Sequence, residues 1–286
     1  MKINDRVHQL RVQFNITPEI TRYVYVYIIT GKEGCYLVDA GVKGCDKKIE
    51  EYIHKIGKNR ENINAVLLTH SHPDHIGALK TIKEMYSCYV YASRGERDWI
   101  EDIDLQYEKR PIPGYYSLVD GSVTVDRILS DGDLLCLEPG ITIQVIGVPG
   151  HSRESLCFYY REQKILFTGD SIPEPSDALI YEDSHASEET LKRLELLEEV
   201  DMYCPAWDKV YDRRTGIAMI HEGLSRISKL RRCTEGYRGR MGEESTHRLF
   251  ELICEESNMA EYKKNPLFMR SVMSDLSRLN QGNLRD

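Results

Sequence analysis

Leu67-Leu68-Thr69-His70-Ser71-His72-Pro73-Asp74-His75-Ile76-Gly77 contains three histidines and one aspartate within six positions. An isolated histidine in a globular protein is more often a surface or core residue than a metal ligand, but this density of donors has no ordinary packing role. Imidazole nitrogens and carboxylate oxygens together suit zinc, with iron or manganese as alternatives. The stretch therefore predicts a site for a divalent metal.

The spacing of these side chains indicates how they converge. An apolar run before the cluster predicts a buried strand, and Pro73 is well placed at the first position of a following helix. Residues two apart on an extended segment point to the same side, so His70 and His72 can bind one ion. Asp74 and His75 fall in the first turn of the helix and can face the same cavity. The stretch thus leaves room for two adjacent metal ions.

Length, composition and charge are those of a globular protein. The chain has 286 residues, 41% of them hydrophobic, with a formal net charge of −8 and a pI near 5.7. This acidic balance argues against nucleic acid as a partner, because nucleic-acid-binding domains usually carry a basic excess. The first residues, MKINDRVHQLRVQF, lack the apolar core of a signal peptide, and no run is long enough to span a bilayer. We therefore expect a cytoplasmic protein without membrane contact.

The chain also contains eight cysteines. They are scattered and form no CxxC pair, which argues against a zinc ribbon or a dithiol redox site. In a reducing compartment we interpret them as free thiols, most of them buried.

Strand and helix patterns alternate over the first three quarters of the chain. Helical spacing predicts helices at residues 46–56 and 73–85, and Ser187 is the predicted N-cap of a third helix. Stretches rich in β-branched and aromatic residues, bounded by turn residues, predict strands at 7–14, 23–30, 36–39, 65–68, 88–92, 156–160, 165–167 and 202–204, with more between 123 and 146.

From residue 216 onward, apolar residues recur only at helical spacing, and Asn265-Pro266 is a predicted helix start. We therefore predict a metal-binding domain at residues 1–215 and an all-helical extension at 216–286, which would contact the substrate or a second copy in a homodimer. The extension carries a cationic run that would suit an anionic ligand, although a solvated helix face explains it equally well: Lys229, Arg231, Arg232, Arg238 and Arg240.

Two further strand ends offer ligands that could join the cluster. Val148-Pro149-Gly150-His151 follows an apolar strand and places a histidine in a Pro-Gly turn. Phe167-Thr168-Gly169-Asp170 places a carboxylate in the same way. Either segment alone is an ordinary turn, but together with the first cluster they predict one composite site.

These motifs, with Asp39-Ala40-Gly41, resemble the metallo-β-lactamase fold metallohydrolases, over residues 5 to 212 and in the right order. The helical extension resembles, in position, that of the hydroxyacylglutathione hydrolases and related thioesterases. The resemblance implies an α+β fold, a four-layer αββα sandwich with the metal site at one edge, followed here by the C-terminal all-helical extension.

The resemblance also implies roles for individual residues. One zinc ion would be held by His70, His72 and His151. A second ion would be held by Asp74, His75 and Asp170, with Asp170 bridging the two. Asp39 would orient ligands from behind, and Asp74 would act in catalysis.

The sequence departs from the family at one ligand. A histidine in a Pro-x-His context normally completes the second site, but this chain has Trp207 in Pro205-Ala206-Trp207. An indole cannot replace imidazole as a metal ligand. Three explanations remain open: the second metal is weak or absent, Asp208 or His185 substitutes as a ligand, or Trp207 contacts the substrate.

The implied activity is metal-dependent hydrolysis of a small molecule. A metal-bound hydroxide would attack an ester, thioester, lactone or phosphoester, and Asp74 would orient it and relay its proton. The alternative is a metal-binding sensor or scaffold that kept the fold with a degenerate, non-catalytic site.

Overall fold

The computed structural model describes residues 1–16, 20–58, 63–240 and 245–281, with side chains to residue 278. Contacts divide the chain into two compact units. Unit 1 comprises residues 1–147, 154–169 and 201–210, and unit 2 comprises 148–153, 170–200 and the residues from 211 onward. The domain boundary that we predict after residue 215 falls inside the first turns of a long helix and stays a prediction.

The first sheet of unit 1 places the histidine cluster beside Asp39. Its strands follow chain order: β1 (Val7–Asn15), β2 (Thr21–Thr30), β3 (Cys35–Val38), β4 (Ile63–Leu67), β5 (Tyr89–Ser93) and β6 (Arg127–Leu129). The first three pair antiparallel, and β3 to β6 pair parallel, with Val38 opposite Leu67. Parallel neighbours end at the same edge of a sheet, so the residues that follow β3 and β4 are brought together.

Five strands of a second sheet also belong to unit 1. They are ordered β11-β10-β9-β8-β7 and comprise β7 (Leu134–Glu138), β8 (Ile141–Gly147), β9 (Leu156–Tyr160), β10 (Ile165–Gly169) and β11 (Met202–Pro205). Strands β7 to β10 pair antiparallel, and β10 pairs with β11 in parallel. The Thr-Gly-Asp motif therefore begins at the carboxyl end of β10.

Alternation along β2 divides its side chains between two cores. Tyr27 and Ile29 lie in a core with residues of the second sheet, and the Tyr27 ring lies 5.2 Å from that of Phe167. Val26 and Ile28 point to the opposite face, where they pack with the helices of unit 1. Because successive side chains of β2 point to opposite faces, this strand is buried on both faces of the sheet.

The helices of unit 1 are α1 (Cys45–Lys55), α2 (Pro73–Ile76), α3 (Leu79–Tyr86), α4 (Arg94–Glu101), α5 (Ile103–Lys109) and α6 (Tyr115–Leu118). The predicted single helix at 73–85 is wrong, because Gly77 and Ala78 interrupt it. The Gly77 N–H donates to the carbonyl of Gly41 at 2.7 Å, and its own carbonyl accepts from the N–H of Asp120 at 2.9 Å. These contacts replace helical hydrogen bonds and fix the short helix that carries Asp74 and His75.

Unit 2 contains a two-residue strand, β12 (Tyr211–Asp212), and the helices α7 (Ser184–Glu195), α8 (Arg213–Glu235), α9 (Thr246–Glu256) and α10 (Pro266–Gln281). The predicted start of α10 is confirmed, since Asn265 Oδ1 accepts from the N–H groups of Leu267 and Phe268. No strand follows Asp212 in the described part of the chain, and none of the described helices has the length and apolar character needed to cross a membrane.

The predicted N-cap of α7 is wrong. Asp183 caps the helix by accepting a hydrogen bond from the N–H of Ala186 at 3.0 Å, and Ser187 lies one turn inside, where its hydroxyl donates to the carbonyl of Asp183. Serine is suited to either position, so the pattern alone does not separate them. As a result His185, which would precede a helix capped by Ser187, lies in the first turn of α7.

We expect Gly77→Ala to destabilise the protein by about 3 kcal/mol, because a Cβ there would lie 2.1 Å from the carbonyl oxygen of Leu118 and 2.6 Å from Cα of Val42. Urea unfolding measures the effect. Gly140→Ala is the control: its φ is +85° but nothing lies within 4 Å, so backbone strain alone should cost about 1 kcal/mol. A smaller loss for Gly77→Ala than for Gly140→Ala would contradict the steric explanation.

The structure confirms eight free cysteines, of which Cys136 alone is exposed. Burial raises the pKa of the Cys35 and Cys88 thiols to about 11 and that of Cys45 to about 12, so very little thiolate exists at pH 8. In the folded protein at pH 8 we expect iodoacetamide to modify Cys136 and no other thiol. In urea we expect it to modify all eight. Intact-mass spectrometry counts the adducts, and rapid folded-state labelling of Cys45 would refute the prediction.

Candidate metal centre

The carboxylate of Asp39 lies behind the histidine cluster. Asp39 follows β3 and is buried, with a left-handed backbone at φ +63°. Its Oδ1 accepts from the backbone N–H of Thr69 at 2.8 Å, and its Oδ2 accepts from the Thr69 hydroxyl at 2.8 Å. The same Oδ2 lies 2.8 Å from Nδ1 of His75. One buried carboxylate therefore joins both ends of the 69–75 loop.

These contacts set the tautomer of His75. A carboxylate only accepts, so Nδ1 of this fully buried ring carries the proton that faces Asp39. The Nε2 atom is then left with its lone pair, and it lies 3.4 Å from Oδ2 of Asp74. His75 is thus oriented as a metal-binding histidine usually is, with one nitrogen fixed from behind.

His70 and His72 face each other through different ring nitrogens. The Thr69 hydroxyl donates to Asp39, so its oxygen can accept from Nδ1 of His70, which lies 3.0 Å away. Nε2 of His70 then lies 3.0 Å from Nδ1 of His72. These two nitrogens, one from each ring, are close enough that both rings could hold one metal ion.

A second buried network supports Ser71, between these histidines. Glu96 accepts from both the N–H and the hydroxyl of Ser71, and from the N–H of Glu154 at 3.1 Å. The side-chain amide of Gln106 donates to the carbonyl of Ser71 at 2.6 Å, and Gln106 accepts in turn from the hydroxyl of Tyr115. Burial raises the pKa of Tyr115, which keeps the hydroxyl as a donor. This network fixes the backbone of the cluster.

Sequence reasoning missed Glu96 and Gln106 as support for the site. Glu96 lies on α4 and Gln106 on α5, and both side chains are buried. An acidic side chain on the inner face of an otherwise amphipathic helix was the available signal, because buried carboxylates are rare without partners.

In unit 2, His151 and Asp170 lie close together. Nδ1 of His151 lies 2.8 Å from the carbonyl oxygen of Ile180, and its Nε2 lies 3.4 Å from Oδ2 of Asp170. Gly150 has a φ of +132°, and a Cβ there would lie 2.4 Å from the backbone nitrogen of Ser187. Only glycine fits this turn, which explains the glycine of the Pro-Gly-His motif in steric terms.

Two sets of side chains in the described part of the chain could each hold a metal ion: His70, His72 and His151, and His70, His75 and Asp170. They combine buried imidazole nitrogens with a carboxylate, which is the donor chemistry of zinc, iron and manganese sites. The residues present therefore fit a divalent metal. Asp74 belongs to neither set, although its carboxylate lies beside His75.

The candidate substitute ligands lie elsewhere. His185 is exposed on α7, and Asp208 is half-buried with its Oδ1 accepting from the N–H of Lys209. Neither belongs to the two sets above. Trp207 packs against the first sheet: its ring lies 6.2 Å from that of Phe14 and 6.4 Å from that of Tyr23, and its carbonyl accepts from the Tyr23 hydroxyl. The indole therefore has a packing role in unit 1.

Comparison with known proteins identifies the same family that the motifs resemble. The sequence model described as "Metallo-beta-lactamase superfamily" matches residues 20–206. The chain is 25% identical to a hydroxyacylglutathione hydrolase of Pelagibacter ubique over 185 residues, which are 63% of this chain and 65% of the relative. It is 29% identical to an acyl-coenzyme A thioesterase of Gallus gallus over 191 residues, which are 62% of this chain and 67% of the relative.

A solved structure shows the likeness in three dimensions. A metallo-beta-lactamase family protein of Thermus thermophilus superposes with a TM-score of 0.75 at 17% identity, covering 99% of this chain and 95% of that one. The predicted fold class, an αββα sandwich with a helical C-terminal region, is thereby confirmed. Among three of the curated relatives, the matched stretch spans only 52% to 65% of their own length.

We expect Asp39→Asn to weaken zinc binding about 10- to 100-fold, because the amide weakens the orientation of His75 and asparagine still tolerates the left-handed backbone. Competition against a chromophoric chelator measures the affinity. Asp120→Asn is a matched control, since Asp120 accepts from the backbone N–H groups of Lys80 and Thr81 away from the cluster. Equal zinc affinity in Asp39→Asn and the wild type would contradict the role of Asp39 in orienting the ligands.

Proposed function

This chain belongs to the metallo-beta-lactamase superfamily, and we propose that it is a metal-dependent hydrolase that cleaves an acyl ester or thioester. The observation that carries the proposal is the donor set of four histidines and Asp170. In His70, His75 and His151 the Nδ1 atom is hydrogen-bonded to an oxygen, which leaves Nε2 as the possible metal ligand. Packing alone does not require such an arrangement.

We assign the first ion, zinc in this proposal, to His70, His72 and His151. A bound divalent metal lowers the pKa of a water molecule and polarises a carbonyl group, which is the chemistry that hydrolysis needs near neutral pH. His75 and Asp170 supply donors for the second ion. Asp39 accepts the Nδ1 proton of His75 in a hydrogen bond, so that the lone pair on Nε2 is available to a metal ion.

Asp74 is the proposed proton carrier. Its side chain is 17% exposed, and its Oδ2 lies next to Nε2 of His75. A carboxylate in that position can orient a water molecule within the site and accept its proton, and its remaining exposure lets the proton exchange with solvent. Asp74 therefore acts on the nucleophile, whereas Asp39 acts on the ligands.

The relatives support the substrate class, because two of them are named as a hydroxyacylglutathione hydrolase and an acyl-coenzyme A thioesterase. Both names point to an acyl group carried on a larger anionic molecule. The cationic run of the extension is a weaker argument. Arg231 pairs with Glu188 of α7 at 3.0 Å, so part of the run stabilises the packing of helices in unit 2.

For the second ion we propose weak binding. The packing of Trp207 against Phe14 and Tyr23 supports the loss of the usual histidine ligand without a substitute. The same observation favours the second candidate function, a metal-binding sensor or scaffold without turnover. Metal stoichiometry and turnover together separate the two functions.

The deciding experiment uses the purified full chain after loading with zinc and removal of free metal. Elemental mass spectrometry counts zinc per chain, and thiol release is followed with a hydroxyacylglutathione thioester and with acetyl-coenzyme A. Ester and phosphodiester cleavage are followed with p-nitrophenyl acetate and bis(p-nitrophenyl) phosphate. We expect one tightly held equivalent and thioester turnover. Zinc without turnover on any probe indicates a sensor or scaffold, and a chain that binds no metal contradicts both functions.

We expect Asp74→Asn to lower kcat at least 100-fold while the tightly bound zinc is retained, because the amide cannot accept the proton. Steady-state kinetics and metal counting on the same preparation measure both quantities. Asp98→Asn, on the exposed face of α4, is the control and should match the wild type. Full activity in Asp74→Asn would exclude Asp74 from the mechanism.

A further inference from the structure

The C-terminal helices bind residues 174–184, here called the 174–184 segment, which follow Asp170 and end at the first residue of α7. Arg226 of α8 donates to the backbone carbonyls of Glu174 and Asp177, and the hydroxyl of Tyr262 donates to the carbonyl of Ser176 at 3.0 Å. These contacts are made to backbone carbonyls, so they hold the path of the segment whatever side chains it carries.

The contacts from α10 are concentrated on one buried face. Asp275 accepts from the hydroxyl of Tyr181 at 2.9 Å and from that of Ser184 at 2.8 Å. Ser271, one turn earlier on the same face, accepts from the backbone N–H of Tyr181 at 2.9 Å. Both residues are buried, where hydrogen bonds of this kind are expensive to leave unmade.

The other side of the same segment bonds to the Pro-Gly-His turn. The carbonyl of Gly150 accepts from the N–H groups of Glu182 and Asp183 at 2.7 and 3.1 Å. The carbonyl of Ile180 accepts from Nδ1 of His151 at 2.8 Å. The segment therefore lies between α10 and the turn that carries a proposed metal ligand.

One peptide group connects the two sides. The carbonyl of Ile180 and the N–H of Tyr181 belong to the same planar trans peptide, so they point in opposite directions. Ser271 holds the N–H end, and His151 is bonded to the carbonyl end. If the peptide rotates, the carbonyl leaves Nδ1 of His151, and the ring loses the contact that keeps its proton on Nδ1 and its Nε2 available.

We propose that Ser271 and Asp275 are positioning residues for His151, and that the helical extension thereby sets the metal affinity of the site. The proposal rests on the proposed function, because it assumes that His151 is a ligand. It assigns the extension a role in building the metal site, in addition to any contact with substrate or a second copy.

The test compares two buried serines of the extension. Ser271→Ala removes the acceptor for the N–H of Tyr181 and the hydroxyl's own bond to the carbonyl of Leu267. Asp275→Ala removes the acceptor for the hydroxyls of Tyr181 and Ser184. Ser257→Ala is the matched control: Ser257 is equally buried, and its hydroxyl donates to the carbonyl of Ile253 at 2.7 Å, within α9 and its C-cap. If Asp275→Ala fails to fold, Ser271→Ala carries the test alone.

Two measurements are made on each variant after removal of metal by a chelator. Zinc affinity is measured by competition with a chromophoric chelator, and the tautomer of His151 is measured by long-range ¹H–¹⁵N NMR at pH 8. We expect Ser271→Ala and Asp275→Ala to weaken zinc binding at least tenfold and to shift His151 from the Nδ1–H tautomer toward Nε2–H. Ser257→Ala should stay within twofold of the wild type and keep the tautomer.

The outcomes separate this proposal from the hydrolase function. A wild type that binds zinc, with Ser271→Ala and Asp275→Ala binding it equally well, overturns the positioning role and leaves the hydrolase standing. A loss of affinity in Ser257→Ala as large as in Ser271→Ala also overturns it, because the effect is then general destabilisation. A wild type that binds no zinc overturns both.

Discussion

The buried carboxylate of Asp39 is the contact on which the candidate site depends most. Thr69 lies 30 positions later in the chain, and the two residues meet only because β3 and β4 pair in parallel and end together. Once they meet, the carboxylate accepts from the backbone and hydroxyl of Thr69 and from His75. An ionised group with so little solvent contact is stable only when it is bonded in this way. Its left-handed backbone is strain that the surrounding sheet must hold in place.

A common principle connects the histidines that the structure fixes from behind. Each has one ring nitrogen bonded to a fixed oxygen: a carboxylate for His75, a hydroxyl for His70 and a peptide carbonyl for His151. The three oxygens come from different parts of the chain. An imidazole presents a lone pair toward a metal only if its other nitrogen keeps the proton, so in the proposed metal site these oxygens would help to set the binding chemistry as well as the packing.

The sequence was sufficient where local chemistry decides the outcome. The His-x-His-x-Asp-His spacing, the strands on either side and the start of α10 at Asn265-Pro266 all follow from short patterns. It was insufficient where a tertiary contact decides. Gly77 reads as a helical residue until the carbonyl of Leu118 is found against it, and Ser187 competes with Asp183 as a cap on equal terms. Glu96 and Ser271 carry no local signal of their contacts with Ser71 and Tyr181, because only the folded chain brings these residues together.

The packing of Trp207 also determines what spectroscopy can observe. The chain has two tryptophans, and both belong to unit 1: Trp207 against the first sheet and Trp99 buried on α4. Intrinsic tryptophan fluorescence therefore follows the unfolding of unit 1, whereas far-ultraviolet circular dichroism also includes the helices of unit 2, which have no tryptophan of their own. Transitions that coincide in the two signals would identify the units as one cooperative folding system, and transitions that separate would identify them as two.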